Sequence, residues 1–198
     1  MYFVRKAGLT CIEKPPTTRG LLTKRRIKKV CYANINTLIL QVVTFVFDVK
    51  KVLFVCLGNI CRSPLAEAIF KHKIKEKGLA DIYYAESCGT ANYHIGDQPD
   101  HRTIRNALKN GVNIDHAGRQ LCADDFEKFD EIFVMDRSNY NNALRLAGIH
   151  KEKLKMMRSF DPAGKDEEVP NPYYGEEKDF QNVFDILERS IENYLISD

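Results

Sequence analysis

Several common protein classes are excluded by what this 198-residue chain lacks. Its six cysteines, at positions 11, 31, 56, 61, 88 and 122, form no CxxC pair, and its five histidines are scattered. No His/Cys group therefore has the spacing of a zinc site, and the pattern is that of a reduced, cytoplasmic protein without a metal or other cofactor. No apolar run reaches the roughly twenty residues needed to cross a bilayer. The stretch from Thr37 to Phe47 is about half that length. There are no internal repeats and no low-complexity tracts. Net charge is only +3, but it is unevenly divided: residues 1–50 hold ten Lys/Arg against two Asp/Glu, and residues 51–198 hold twenty against twenty-five. A mildly acidic domain lacks the basic face that phosphate contacts require, which argues against nucleic acid as a partner.

The first 48 residues differ from the rest. They contain Pro15-Pro16, the basic run Lys24 to Lys29 and then the short apolar stretch. A basic flank before a short apolar run is signal-like, yet it begins late and has no clear small-residue cleavage site; the excess of basic over acidic residues also suits a transit peptide. The domain is complete in pattern from Val49-Lys50-Lys51-Val52 onward. The expectation is an extension over 1–48, disordered or translated only conceptually from upstream sequence, and a single domain over 49–198 with no membrane association.

Within that domain, Val52 to Val55 is a continuous apolar run, as in a strand buried on both faces. A helix follows from Leu65 to Lys77, with Leu65, Ala68, Ile69 and Ile74 on one face, Lys71, Lys73 and Lys75 outside it, and Gly78 at its end. Further strands are expected at Ile82–Ala85, Glu131–Met135 and Leu154–Met157. Helices are expected at Asp100–Lys109, at a short turn from Asp124, at Arg137–Ala147 with Asp136 as its cap, and at Phe180–Ile196 with Val183, Phe184, Leu187, Ile191 and Leu195 inward. Residues 159–177 form a long loop. The alternation predicts an α/β fold: a doubly wound, four-stranded parallel sheet with helices on both faces. Cys88 and Cys122 are read as small buried apolar residues.

The decisive segment is Cys56-Leu57-Gly58-Asn59-Ile60-Cys61-Arg62, followed by Ser63-Pro64. It lies between the first domain strand and a helix, where functional loops of such sheets lie. A short loop there turns backbone N–H groups inward, and the helix behind it adds the positive end of its dipole. Arg62 supplies a planar fork for two phosphate oxygens. The same donors favour the thiolate form of Cys56, the nucleophilic form. The loop thus binds a phosphate and aims a nucleophile at phosphorus.

The sequence VLFVCLGNICRSPLAEAIF resembles the opening of the low-molecular-weight protein tyrosine phosphatases. The resemblance continues in order through AESCGTANYHIG, DHAGRQL, DFEKFDEIFVMD, FDP and PYYG, over about residues 50–196. It implies that Cys56 forms a phosphocysteine, that Arg62 binds the phosphate, and that Leu57, Gly58, Asn59, Ile60, Cys61 and Ser63 complete the phosphate loop. By the same resemblance Ser63 hydrogen-bonds the thiolate, Asn59 holds the loop through Ser87 and His116, and Cys61 can form a reversible disulfide with Cys56, shielding it from irreversible oxidation. Leu57 and Tyr93 would wall the substrate slot, with Tyr173 and Tyr174 at its rim. The implied partners are a phosphotyrosine protein and, in the loop, inorganic phosphate or a similar oxyanion.

One position departs from the family pattern. Its general acid is the Asp of Asp-Pro-Tyr-Tyr-Gly, and this chain reads Asn171-Pro172-Tyr173-Tyr174-Gly175. A carboxamide cannot protonate a leaving phenolate, and positioned acid–base catalysis is worth about 10²–10⁴-fold. Asp161, in Phe160-Asp161-Pro162, matches a structural position of the family; Asp166, Glu167 and Glu168 lie nearer. Asn171 is compatible with a slow phosphatase, with a change in an ordinary one, or with a module that binds phosphotyrosine without releasing it. Arsenate reductase shares the loop type but needs relay cysteines, and Cys88 and Cys122 are not a close pair. Protein arginine phosphatases tend to carry Thr where Ile60 stands.

Overall fold

The computed structural model describes residues 48–165 and 167–197, together with two short antiparallel segments, Val30–Cys31 and Thr44–Phe45. The expectations for residues 1–48 otherwise lie outside the described residues. Contacts divide the chain after Asp48, and residues 49–198 form the larger unit.

That unit carries four strands, β1 (Lys50–Cys56), β2 (Tyr83–Gly89), β3 (Glu131–Val134) and β4 (Leu154–Met156), all parallel, in the order β2-β1-β3-β4. Among the described residues five α-helices accompany them, α1 (Arg62–Glu76), α2 (His101–Lys109), α3 (Asp124–Lys128), α4 (Arg137–Ala147) and α5 (Glu177–Ser197), with 3-10 helices at Gly148–Lys153 and Met157–Phe160. Successive side chains of β1 point to opposite faces of the sheet. Val52 and Phe54 enter a core with α1 and α5, through Leu65, Ile69, Leu187 and Ile191. Leu53 and Val55 enter a second core with α3 and α4, through Phe126 and Ala143. This is the predicted doubly wound sheet. Strand order reverses at β1, so the loop after Cys56 opens at the switch point, where ligands bind in such folds.

The differences from expectation are local and have physical causes. β2 runs on to Gly89 because it pairs with β1 as far as Cys56; the polar Glu86 and Ser87 end only the apolar run, not the strand. The first turns of α1 are buried on every side from Arg62 to Phe70, so its amphipathic pattern holds only near its C-terminus. Lys73 is not on a free solvated face: it pairs with Glu188 at 2.8 Å and lies 3.9 Å from Glu192, both on α5. Cys122 is exposed, whereas Cys88 is fully buried. Asp100 and Asp136 cap α2 and α4, accepting from the N–H groups of Arg102 and Asn139. Among the described residues no helix is long and apolar enough to cross a membrane.

Candidate active site

The loop from Cys56 to Arg62 is shaped by one asparagine. Asn59 has φ of +58°, a left-handed conformation that Asn tolerates better than most residues. Its backbone N–H then reaches the Cys56 Sγ at 3.3 Å. Its amide Nδ2 donates to Ser63 Oγ at 2.9 Å and to Ser87 Oγ at 3.0 Å. Its Oδ1 accepts from the backbone N–H of Arg119 at 2.9 Å, which fixes the orientation of the amide.

That orientation sets the protons of the neighbours. His116 Nε2 lies 2.9 Å from the Asn59 Oδ1, an acceptor, so this nitrogen donates. His116 Nδ1 lies 3.2 Å from Glu67 Oε2, also an acceptor. Each ring nitrogen thus faces an acceptor oxygen. Burial alone would raise the Glu67 carboxyl, but donors from His116, Lys71 and Ser87 outweigh it and hold it below the usual carboxylate range. Ser87 Oγ donates to Glu67 at 2.7 Å. Ser63 Oγ, having accepted from Asn59, has one proton to give, to Cys56 Sγ at 3.0 Å or to the Cys88 carbonyl at 3.2 Å.

Cys56 is buried, with the Asn59 N–H and the Ser63 hydroxyl converging on its sulfur. Cys61 also lies on the loop as a buried free thiol; burial pushes it up to about 12, so it stays protonated at neutral pH. Arg62 is buried with its Nη1 donating to Asp136 Oδ2 at 2.7 Å and to the Val169 carbonyl at 3.0 Å. Its Nε and Nη2 have no protein partner among the described residues, which leaves a fork for two oxygens of an oxyanion.

Above the loop is a cleft of about 310 Å³, lined by Cys56, Leu57, Gly58, Ile60, Cys61 and Arg62 below and by Tyr93, His94, Asn171, Tyr173 and Tyr174 at its mouth. Tyr173 and Tyr174 meet edge to face, with centroids 5.0 Å apart. Asn59 and Ser63 stand behind the loop, and Ser87 and His116 behind them. Asn171 is exposed, and its Oδ1 accepts from the Tyr173 N–H at 3.3 Å, a local turn at the mouth. None of the described lining residues is a carboxylate.

The nearby acids are engaged elsewhere. Asp161 is buried against Arg158 and Arg189. Glu167 pairs with Arg158 at 2.7 Å, and Glu168 accepts from the Arg137 N–H at 2.9 Å. Asp166 lies outside the described residues. Sequence reasoning did not single out Glu67, Arg119 or His94, nor the second oxygen of Asp136; a Glu at the sixth residue of a buried helix was the one available signal.

The family model described as low molecular weight phosphotyrosine protein phosphatase matches residues 51–197. The chain belongs to this family. It is 44% identical over 149 residues to a putative low molecular weight protein-tyrosine-phosphatase of Synechocystis, covering 74% of this chain and 95% of the relative. It is 39% identical over 151 residues to the chicken low molecular weight phosphotyrosine protein phosphatase, covering 75% and 95%. Among solved structures it resembles a protein tyrosine phosphatase from Entamoeba histolytica with Hepes in the active site, with a TM-score of 0.73 and 44% identity, covering 75% of this chain and 96% of that one. The shared span is the α/β unit just described, and membership supports phosphotyrosine phosphatase activity.

Proposed function

We propose that the chain hydrolyses protein phosphotyrosine through a phosphocysteine intermediate, with proton transfer slowed because Asn171 stands in the acid position. The observation that carries this reading is the convergence on Cys56 Sγ of the Asn59 N–H and the Ser63 hydroxyl, at the floor of a cleft that also exposes Arg62. The phosphoryl group would lie on the loop, its oxygens gripped by the free edge of Arg62 and the loop N–H groups. Cys56 thiolate attacks phosphorus, and the S–P bond forms as the bond to the tyrosine oxygen breaks. Water then attacks the phosphocysteine, and the thiolate leaves with help from the Ser63 hydroxyl. Leu57, Ile60 and the tyrosine rim suit a flat aromatic ring, and apolar Ile60 favours tyrosine over arginine as the phosphorylated residue.

The test is phosphate release from a phosphotyrosine peptide by the chain and by its Asn171→Asp and Cys56→Ser variants. Cys56→Ser should be inactive, and Asn171→Asp should be faster by about 10²-fold or more. Tight peptide binding without release by the unaltered chain would make it a binding module instead.

A further inference from the structure

On that reading, a proton must still reach the leaving oxygen, and we infer that His94 delivers it. His94 lines the cleft beside the loop that carries Cys56. Its ring lies over Gly58 of the phosphate loop: a methyl group added at Gly58 would stand 3.1 Å from His94 Cδ2 and 3.9 Å from Nε2. Its other nitrogen, Nδ1, is 2.9 Å from Asp97 Oδ2. An imidazole that lines the cleft with a carboxylate on its Nδ1 is the arrangement of an oriented acid–base histidine.

The local fold holds this pair. His94 to Asp97 is a tight turn, closed by the Asp97 N–H on the His94 carbonyl at 3.2 Å. Gly96 takes φ of +84°, as the third residue of a type II turn requires. First and fourth residues of the turn thus place their side chains together. Gly118 clamps the turn, accepting from the Gly96 N–H and donating to the Asp97 carbonyl, each at 2.8 Å. Around His94 the charged and titratable groups are Asp97 beside it, Cys56, Cys61 and Arg62 on the loop, and the tyrosines 93, 173 and 174 at the mouth.

The steps balance. His94 imidazolium gives its Nε2 proton to the tyrosine oxygen as that P–O bond breaks and the S–P bond forms. Neutral His94 then takes a proton from the water that attacks phosphorus, the S–P bond breaks, and the imidazolium and thiolate are restored together with inorganic phosphate.

The test is a cycle of four proteins on phenyl phosphate, whose leaving group needs a proton, and on p-nitrophenyl phosphate, whose leaving group needs it less. His94→Gln should lower kcat on phenyl phosphate at least about tenfold with KM nearly unchanged, and should lower it less on p-nitrophenyl phosphate. In the Asn171→Asp background the same substitution should cost only a small fraction of that, because a carboxylate has taken over the proton. Asp97→Asn, which leaves the ring in place, should show a weaker form of the same pattern. An equal cost in both backgrounds, or an effect on KM alone, would overturn the assignment and make His94 a wall of the cleft. Activity remaining in Cys56→Ser would instead sink the phosphocysteine reading and leave the His94 result to be judged by the cycle.

Discussion

Arg62 and Asp136 are joined by a 2.7 Å ion pair that ties the phosphate loop to the N-terminus of α4. The two oxygens of Asp136 do different work: Oδ2 holds the guanidinium and Oδ1 accepts from the Asn139 N–H at 2.6 Å. In Asp136→Asn the amide can keep one of these acceptors but must turn an NH2 toward the other donor. Stability should fall by about 1–3 kcal/mol from the unsatisfied buried donor. Arg62 would lose its anchor, so phosphate should bind more weakly and kcat/KM should drop at least about tenfold, as poorly positioned groups lose catalytic advantage steeply. Titration with inorganic phosphate and steady-state kinetics check both. An unchanged phosphate affinity would show that Arg62 is held without Asp136.

Asn59 combines a backbone demand with a side-chain demand, and two variants separate them. Asn59→Gly accepts φ of +58° freely but abandons the contacts to Ser63, Ser87, His116 and Arg119. Asn59→Ala abandons the same contacts and adds strain of about 1 kcal/mol or more. Both should lose most activity, and Ala should be the less stable on chemical denaturation. If Gly retained full kcat/KM, the amide network would be dispensable and the loop's backbone alone would hold Cys56.

Much of this site was legible in the sequence because it is local. Seven consecutive residues carry the loop, and strand, loop and helix are each short-range patterns: the apolar run of β1, Pro64 in the first turn of α1 and Asp136 before α4. What stayed hidden depends on sequence-distant partners. Glu86 and Ser87 lie beyond the expected end of a strand at Ala85, yet β2 continues through them because their backbones pair with Leu53 and Phe54 of β1, and Glu86 meets Arg119 at 2.9 Å. Glu67 reads as an ordinary helical acid, but burial of the first turns of α1 puts it against His116. Lys73 reads as solvated until α5 places Glu188 beside it.

Asp161 predicts a specific acid sensitivity. The Arg189 guanidinium outweighs burial and, with the Ala163 N–H and Arg158, pulls its carboxyl from 3.8 down to about 2. A carboxyl lowered on folding adds stability that is present above the unfolded value and is lost as pH falls through the folded one. The contribution is about 2 kcal/mol near neutrality, fading between pH 4 and 2. Asp161→Asn should therefore melt well below the unaltered chain at pH 7, with the gap narrowing as pH approaches 2. Melting curves across that range test it, and a constant gap would mean that the loss is one of packing rather than charge.

Gly118 predicts a link between folding and the mouth of the cleft. A Cβ there would stand 2.2 Å from the His94 carbonyl oxygen, a backbone atom that cannot swing aside. Gly118→Ala must push the His94–Asp97 turn away or break its two clamping hydrogen bonds. Overpacking of this kind costs about 1–3 kcal/mol. Gly96→Ala meets open space and suffers only the strain of its positive φ. The first variant should lose stability and also shift His94 relative to Gly58, depressing kcat on phenyl phosphate; the second should lose stability of similar size with a smaller change in kcat. Melting temperatures measured beside kcat for the two variants give the comparison. If both lost activity in proportion to stability, displacement of the turn would carry no separate catalytic cost.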